Sequence, residues 1–312
     1  MDPATATTAL EVRELRYFIA VAEELSFTRA AARLGMAQPP LSQAVSNLER
    51  KLGVRLFRRT TRLVELTPAG VELLAHGRVA VEAVSAAAMR AIRAGTRRAE
   101  LVVAVKPGGD GGLLRRIVAL YQRDRAMPRT RVVVGAWGEQ HAMLRDGRAD
   151  VALLRAPFDR RGVDFEILMT EPRRAVLPTS HPLARRRRIA RADLRDEPVP
   201  RWPHATRELA AFRAAVDHLG AGAAIPDGPE VSNIAQLLEL VALGAGVAFL
   251  PQSAADLFRR RDVAYVPVAD ISPSHVAVAW PEASRSKATA AFVRAALEAA
   301  KHRPKAQIAA LA

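Results

Sequence analysis

At Leu101 the hydrophobic pattern of this 312-residue chain changes period, and no single layered domain accommodates both halves. Before that point, apolar residues recur at helical spacing. Leu15, Phe18, Ile19, Ala22 and Leu25 mark one amphipathic helix. Ser26 is a good N-cap for a second, carrying Ala30, Ala31 and Leu34 and stopped by Gly35. Pro39-Pro40 suits the first turn of a third, carrying Leu41, Val45, Leu48 and Leu52 and stopped by Gly53. Three short helices with a tight turn before the third form a helix-turn-helix unit. Residues 54–67 alternate around a basic tip and read as a two-stranded hairpin, a wing. A long Ala-rich stretch, 68–95, follows, with apolar Leu73, Leu74, Val81, Val84, Met89 and Ile92. It reads as a linker or dimerisation helix, with an ordinary core helix as the plainer alternative.

From Leu101 onward strands and helices alternate. LVVAVKP, RVVVGAW, ADVALLR, RRAVLPT, GVAFLP and HVAVAWP read as strands. LLRRIVALYQRD, HAMLRDG, 206–219, NIAQLLELVALG and 284–301 read as helices. This grammar predicts an α/β domain with a mainly parallel sheet. The run Arg185–Arg188 reads as a solvated loop. Residues 1–10 read as a leader without the features of a secretory signal, and no apolar run reaches membrane-spanning length.

Chemistry narrows the function further. The chain has no cysteine, which removes disulfides, thiol catalysis and Cys-ligated metals and suits a reducing, cytoplasmic setting. HExxH, GxSxG and GxxxxGK[ST] are absent, and the seven histidines lack metal-ligand spacing, so neither an enzyme nor a cofactor is expected. Forty-seven basic against 32 acidic residues give a net charge of +15, which suggests a polyanionic partner. Only five of the basic residues are lysines, a bias that coding composition explains as well as function does.

The basic and amide groups are placed for nucleic acid. The third helix carries Gln38, Ser42, Gln43, Ser46 and Asn47. Gln and Asn can pair bidentately with adenine, and Ser reaches bases or phosphate. Arg33 flanks it, and Arg58, Arg59 and Arg62 cluster with Thr60 and Thr61 in the wing, where backbone phosphates are within reach.

Residues 15–70 also resemble a known family. AA-x-x-L, QPxLS, the LE that follows, LGVxLFxR and LTPAG occur in the order found in LysR-type transcriptional regulators. The resemblance implies a winged helix-turn-helix domain (10–67), a linker and dimerisation helix (68–98), a two-lobed periplasmic-binding-protein-like effector domain (99–302) and a tail (303–312). Lobe I would comprise 99–172 and 269–302, and lobe II 173–268. The implied partners are double-stranded promoter DNA, a small-molecule effector, the chain itself as dimer or tetramer and RNA polymerase, with no membrane. The groove-facing roles fall to Ala37, Gln38, Pro39, Ser42, Gln43 and Ser46, and phosphate contacts to Arg33, Arg58, Arg59 and Arg62. Ala37, where a Ser is common, and Gln43-Ala44-Val45 depart from the usual pattern, so the base sequence read cannot be borrowed.

For the effector, family members place binding groups at strand ends facing the cleft between lobes, as the switch-point rule for α/β sheets anticipates. Many carry Ser or Thr at the positions of Lys106 or Gly108. Here the expected substitutes are the Lys106 charge and N–H groups at Gly108 and Gly109, with Arg155 sharing the charge of a carboxylate or similar anion. Trp137, Trp202, His204, Thr206 and Asn233 complete the expected cleft. A solute-binding module or small-molecule enzyme built on residues 99–312 is the competing reading.

Overall fold

A computed structural model describes residues 10–59, 63–95, 100–203, 205–219 and 227–301. The expected leader (save Leu10), Thr60–Arg62, His204 and the C-terminal tail lie outside them. The chain divides into two compact units, one chiefly Met1–Gly95 and the other Thr96–Leu144 with Arg148–Ala312.

The first unit opens with helices α1 (Val12–Glu24), α2 (Phe27–Leu34) and α3 (Gln38–Leu52). The Ser26 hydroxyl accepts the Arg29 N–H and caps α2. Gly35 ends it in the left-handed region (φ 65°), and Met36 N–H returns to the Ala31 carbonyl. Pro39 and Pro40 sit in the first turn of α3, where no N–H is missed. The wing is shorter than the alternation suggested. It has two three-residue strands, β1 (Phe57–Arg59) and β2 (Val64–Leu66), paired antiparallel. Phe18, Ala30, Ala31, Val45, Leu48 and Leu56 form the core as expected, while Leu34 packs at its edge. Helix α4 runs Pro68–Ala94, with Leu73 and Leu74 against that core and Val71, Val79, Val84 and Ile92 exposed.

The second unit holds two main sheets. β3 (Glu100–Val105), α5 (Leu114–Tyr121), β4 (Arg129–Val134), α6 (Glu139–Arg145) and β5 (Val151–Arg155) form parallel crossovers. Both faces of β3 are covered, Leu101, Val103 and Val105 by one core cluster and Val102 and Ala104 by another, which explains its unbroken apolar run. β6 (Val163–Glu171) and β12 (Ser274–Pro281) complete a five-stranded sheet ordered β4-β3-β5-β12-β6. Helix α10 (Lys287–Lys301) places Phe292 and Ala296 in the same core as β3.

Between β6 and β12 the chain builds the other lobe. Its sheet comprises β7 (Arg173–Pro178), β10 (Ala248–Pro251) and β11 (Val263–Pro267), ordered β10-β7-β11. Two short strands, β8 (Val199–Arg201) and β9 (Asp227–Glu230), pair beside it. Helices α7 (Arg207–Arg213), α8 (Ile234–Ala242) and α9 (Gln252–Leu257) complete the lobe.

The expectation of a mainly parallel sheet fails here. β7 pairs antiparallel with both neighbours, and β12 pairs antiparallel with β5 and β6. Parallel and antiparallel strands buried on both faces read alike in sequence, so direction was not encoded in the apolar runs. The expected helix over 206–219 is also shorter. It ends at Arg213, and Ala215 takes a positive φ of 57°.

Candidate functional site

Two places concentrate exposed or unpaired polar chemistry, one in each unit. In the first, α3 buries Leu41, Val45 and Leu48 and leaves Gln38, Pro39, Gln43 and Asn47 exposed, with Ser42 and Ser46 half-buried. Ala37, the N-cap, is exposed too. The Gln43 amide donates to Asn47 Oδ1 at 3.0 Å, and Arg50 donates to the same oxygen at 2.6 Å. This polar row is held in order yet faces solvent.

The basic residues separate into two kinds. Arg58 points outward from β1. Arg59 does not stand free at the wing. It is 3.2 Å from the Glu49 carboxylate, 3.4 Å from Ser42 Oγ and stacked 4.4 Å from the Phe27 ring centroid. Arg33 likewise pairs with Glu23 at 2.7 Å and Glu24 at 3.4 Å, and the Glu23 hydrogen bond raises its pKa. Both arginines were expected to hold phosphates. Here carboxylates that sequence spacing could not pair with them engage them. Arg62 lies outside the described residues.

Glu49 plays a part that sequence spacing does not reveal. It is buried, accepts the N–H groups of Leu56 and Phe57, and pairs with Arg55 as well as Arg59. One carboxylate on α3 therefore fixes the first strand of the wing. The LE dipeptide held it in plain sight, but spacing alone reads it as a solvated charge.

In the second unit, a cavity of about 480 Å³ opens between the two lobes. Lys106, at the end of β3, lies on it together with Gly108, Trp137, Arg155, Trp202 and Thr206. Lys106 Nζ sits 4.6 Å from the Trp137 ring centroid. Trp137 stacks on Trp202 at 4.9 Å between centroids and 10° between planes, one ring from each lobe. Arg213, from the last turn of α7, lies 4.2 Å from the Trp202 centroid and 5.2 Å from that of Trp137. It was not anticipated, because an arginine at a helix end reads as surface.

Lys106 and Arg213 have no carboxylate within ion-pair distance among the described residues. Burial pushes the Lys106 pKa down to about 7, and the Arg213 and Arg155 charges add to the effect. Burial likewise lowers Arg213 to about 10. An apolar, aromatic-walled cavity holding two uncompensated cations is electrostatically prepared for an anion.

Other expected ligands are already engaged. Arg155 is buried and donates to Glu171 at 2.7 Å, Ser274 at 2.9 Å and Ser253 at 2.8 Å. It serves as an inter-lobe tie rather than a spare charge. Gly109 N–H donates to the Lys106 carbonyl, and Asp110 Oδ2 accepts the Leu114 N–H and caps α5. The Gly109 N–H is therefore not offered to a ligand. Gly108 has φ 66°, and a Cβ there would lie 2.7 Å from the Phe258 ring, so its glycine is required by the backbone. Gly109 and Asn233 do not line the cavity. The side chains of Thr206 and Asn233 cap α7 and α8. His204 lies outside the described residues.

Comparisons with known proteins agree with this arrangement. Residues 94–301 match the LysR substrate binding domain, and residues 12–71 match the bacterial regulatory helix-turn-helix protein, lysR family. The chain belongs to the LysR family. It is a DNA-binding transcriptional regulator with an effector-binding domain. The HTH-type transcriptional regulator AlsR of Bacillus subtilis (strain 168) is 35% identical over 264 residues, covering 82% of this chain and 85% of AlsR. The Hca operon transcriptional activator HcaR of Escherichia coli (strain K12) is 31% identical over 292 residues, covering 91% and 96%. Full-length CbnR, solved in complex with target DNA, aligns to this LysR chain with a TM-score of 0.52 and 26% identity, covering 93% of this chain and all of CbnR. No helix among the described residues is long and apolar enough to cross a membrane.

Proposed function

We propose that this regulator, a cytoplasmic non-enzymatic protein, reads its operator through α3 and is switched by a small anionic effector held between the lobes. Ala37, Gln38, Pro39, Ser42, Gln43 and Ser46 form the groove-facing row, and Arg58 holds phosphate beside it. The solved CbnR complex with target DNA supports the duplex as partner. The exposed Val71, Val79, Val84 and Ile92 give α4 apolar surface for pairing with a second copy, and pairs of such dimers would form the tetramer. RNA polymerase would be engaged at the promoter.

The observation that carries the effector reading is the two uncompensated cations of one cavity, Lys106 over Trp137 and Arg213 against both of the stacked tryptophans. A carboxylate would relieve their mutual repulsion and burial cost together. It would favour whichever lobe arrangement brings both cations to it, and only that differential affinity can shift the regulator's state. Arg155 belongs to the frame of the site and not to its ligands. A thermal-shift series of mono- and dicarboxylates against the full chain tests this. Stabilisation by a carboxylate, lost in Lys106→Met and Arg213→Met, is expected. A series in which uncharged analogues stabilise as well as the acids contradicts it.

A further inference from the structure

We propose that Lys106 captures its effector covalently: its side-chain amine condenses with the keto carbonyl of a 2-oxo acid whose carboxylate rests on Arg213. This rests on the cavity being the anionic effector site.

The surroundings of Lys106 are those of a reactive amine rather than a structural cation. A lysine held for structure is ordinarily paired, yet none of the described carboxylates reaches Nζ. Glu171 is committed to Arg155 and to the Ser253 N–H and hydroxyl. Asp159 is committed to Arg161 at 2.6 Å. Glu208, on the cavity lining, is exposed. The charged groups that act most on Lys106 are both guanidiniums, Arg213 and Arg155. Desolvation beside another cation is how proteins turn lysine into a nucleophile at neutral pH. With a pKa of about 7, a large share of the amine is unprotonated under those conditions.

The backbone supports the same role. A Cβ on Gly109 would lie 2.4 Å from Lys106 Cγ, so the glycine gives the side chain its course across the turn. Lys106 and Arg213 both lie over the Trp137 ring, at 4.6 and 5.2 Å from its centroid, and both line the cavity. In a 2-oxo acid the electrophilic carbon is bonded directly to the carboxylate carbon. Such a ligand carries both functions that the cavity calls for, a carbonyl for the Lys106 amine and a carboxylate for the Arg213 guanidinium.

The step balances without a redox partner. The amine nitrogen adds to the carbonyl carbon, the carbonyl oxygen takes a proton, and the resulting carbinolamine loses water as the C=N bond forms. Protonation of the imine restores the positive charge above Trp137. The ligand is thus recognised by what it can form as well as by its shape, and a 2-hydroxy acid of the same size binds only through its charge.

Trapping tests this on the full-length protein. Pyruvate and cyanoborohydride at pH 7, followed by peptide mass mapping, should leave the reduced adduct on Lys106. Ordinary lysines are unprotonated at that pH in only about one part in 10³, so Lys106 should label several hundredfold faster than Lys51, Lys287 or Lys301. Lys106→Arg should lose the adduct, and Arg213→Met should slow its formation. Lactate, which has no carbonyl, serves as the parallel probe by thermal shift. Labelling of Lys106 no faster than of the other lysines overturns the proposal. If pyruvate and lactate stabilise the protein alike and no adduct forms, the covalent step is wrong and the anion site stands. If neither probe stabilises and no adduct forms, covalent capture falls, and the anion site is then judged by the wider carboxylate series. An adduct formed equally fast in Arg213→Met overturns the assignment of the carboxylate to Arg213.

Discussion

The buried carboxylate of Glu49 accepts the backbone N–H of Leu56 at 2.8 Å, tying the recognition helix to the wing. A second bond from Phe57 N–H at 3.1 Å makes the same oxygen the anchor of β1. Both N–H groups lie in the core, so the carboxylate cannot be replaced by water without loosening the hairpin. Arg59 then stacks over Phe27 and closes the assembly from outside.

Glu49→Ala is therefore expected to destabilise the first unit by about 2–4 kcal/mol, since it orphans two buried donors. Denaturant unfolding of the full chain measures it. A change under about 0.5 kcal/mol, the range of ordinary surface substitutions, would show that the wing is held by other contacts.

Gln43→Ala and Ser42→Ala should each lower operator affinity by roughly 1–3 kcal/mol while leaving non-specific duplex affinity nearly unchanged. Competitive titration with operator and random duplexes separates the two. Equal loss on both duplexes would move these residues from base readout to backbone contact.

Arg58→Ala should weaken both duplexes alike and reduce the slope of log affinity against log salt by about one. Arg59→Ala should instead cost stability, because its guanidinium is spent on Glu49 and Phe27. A salt slope that falls for Arg59 and not for Arg58 would reverse the assignment.

Arg155→Met should destabilise the effector domain by about 3–5 kcal/mol, because it leaves Glu171 buried without its charge partner. Arg155→Met with Glu171→Gln should recover part of that loss. The pattern would identify Arg155 as the structural charge partner of Glu171. Loss of carboxylate binding with full stability would make it a ligand after all.

Binding of an unreactive carboxylate should also depend on pH. The Lys106 amine is lowered from 10.5 to about 7, so in the free site this amine is charged below pH 7 and neutral above it. Small carboxylic acids are already ionised there. Affinity should therefore be highest below pH 7 and fall as pH climbs through it, with Arg213 keeping its charge throughout. For stability the sign is opposite. Burying the charged amine costs most below pH 7, and the cost fades between 7 and 10.5, where only the unfolded chain holds the proton. Isothermal titrations at pH 6 and pH 8.5 check the binding trend, and Lys106→Met should flatten it.

Much of this was legible in sequence because local chemistry decided it. Ser26, Gly35, Pro39 and Gly53 punctuate the three helices through their own backbone preferences, and the 3.6 period selected the buried faces. Strand direction in the second unit was not legible, since β7 and β12 are apolar whichever way their neighbours run. The site was legible in part. Lys106, Trp137 and Trp202 reach the cleft as expected from the family resemblance, which places binding groups at strand ends. Arg213 was missed, and Arg155 was misread as free, because each role depends on a partner far away in sequence. Arg155 meets Ser253 across 98 positions and Ser274 across 119. No spacing rule reaches that far.

The most direct test couples the two units in one titration. A carboxylate that stabilises the full-length protein is added while affinity is measured for duplex from the promoter beside its own gene. This carboxylate should change duplex affinity in the wild type and leave it unmoved in the Lys106→Met, Arg213→Met double variant. An equal response in both proteins would contradict it and would place the switch outside the tryptophan-lined cavity.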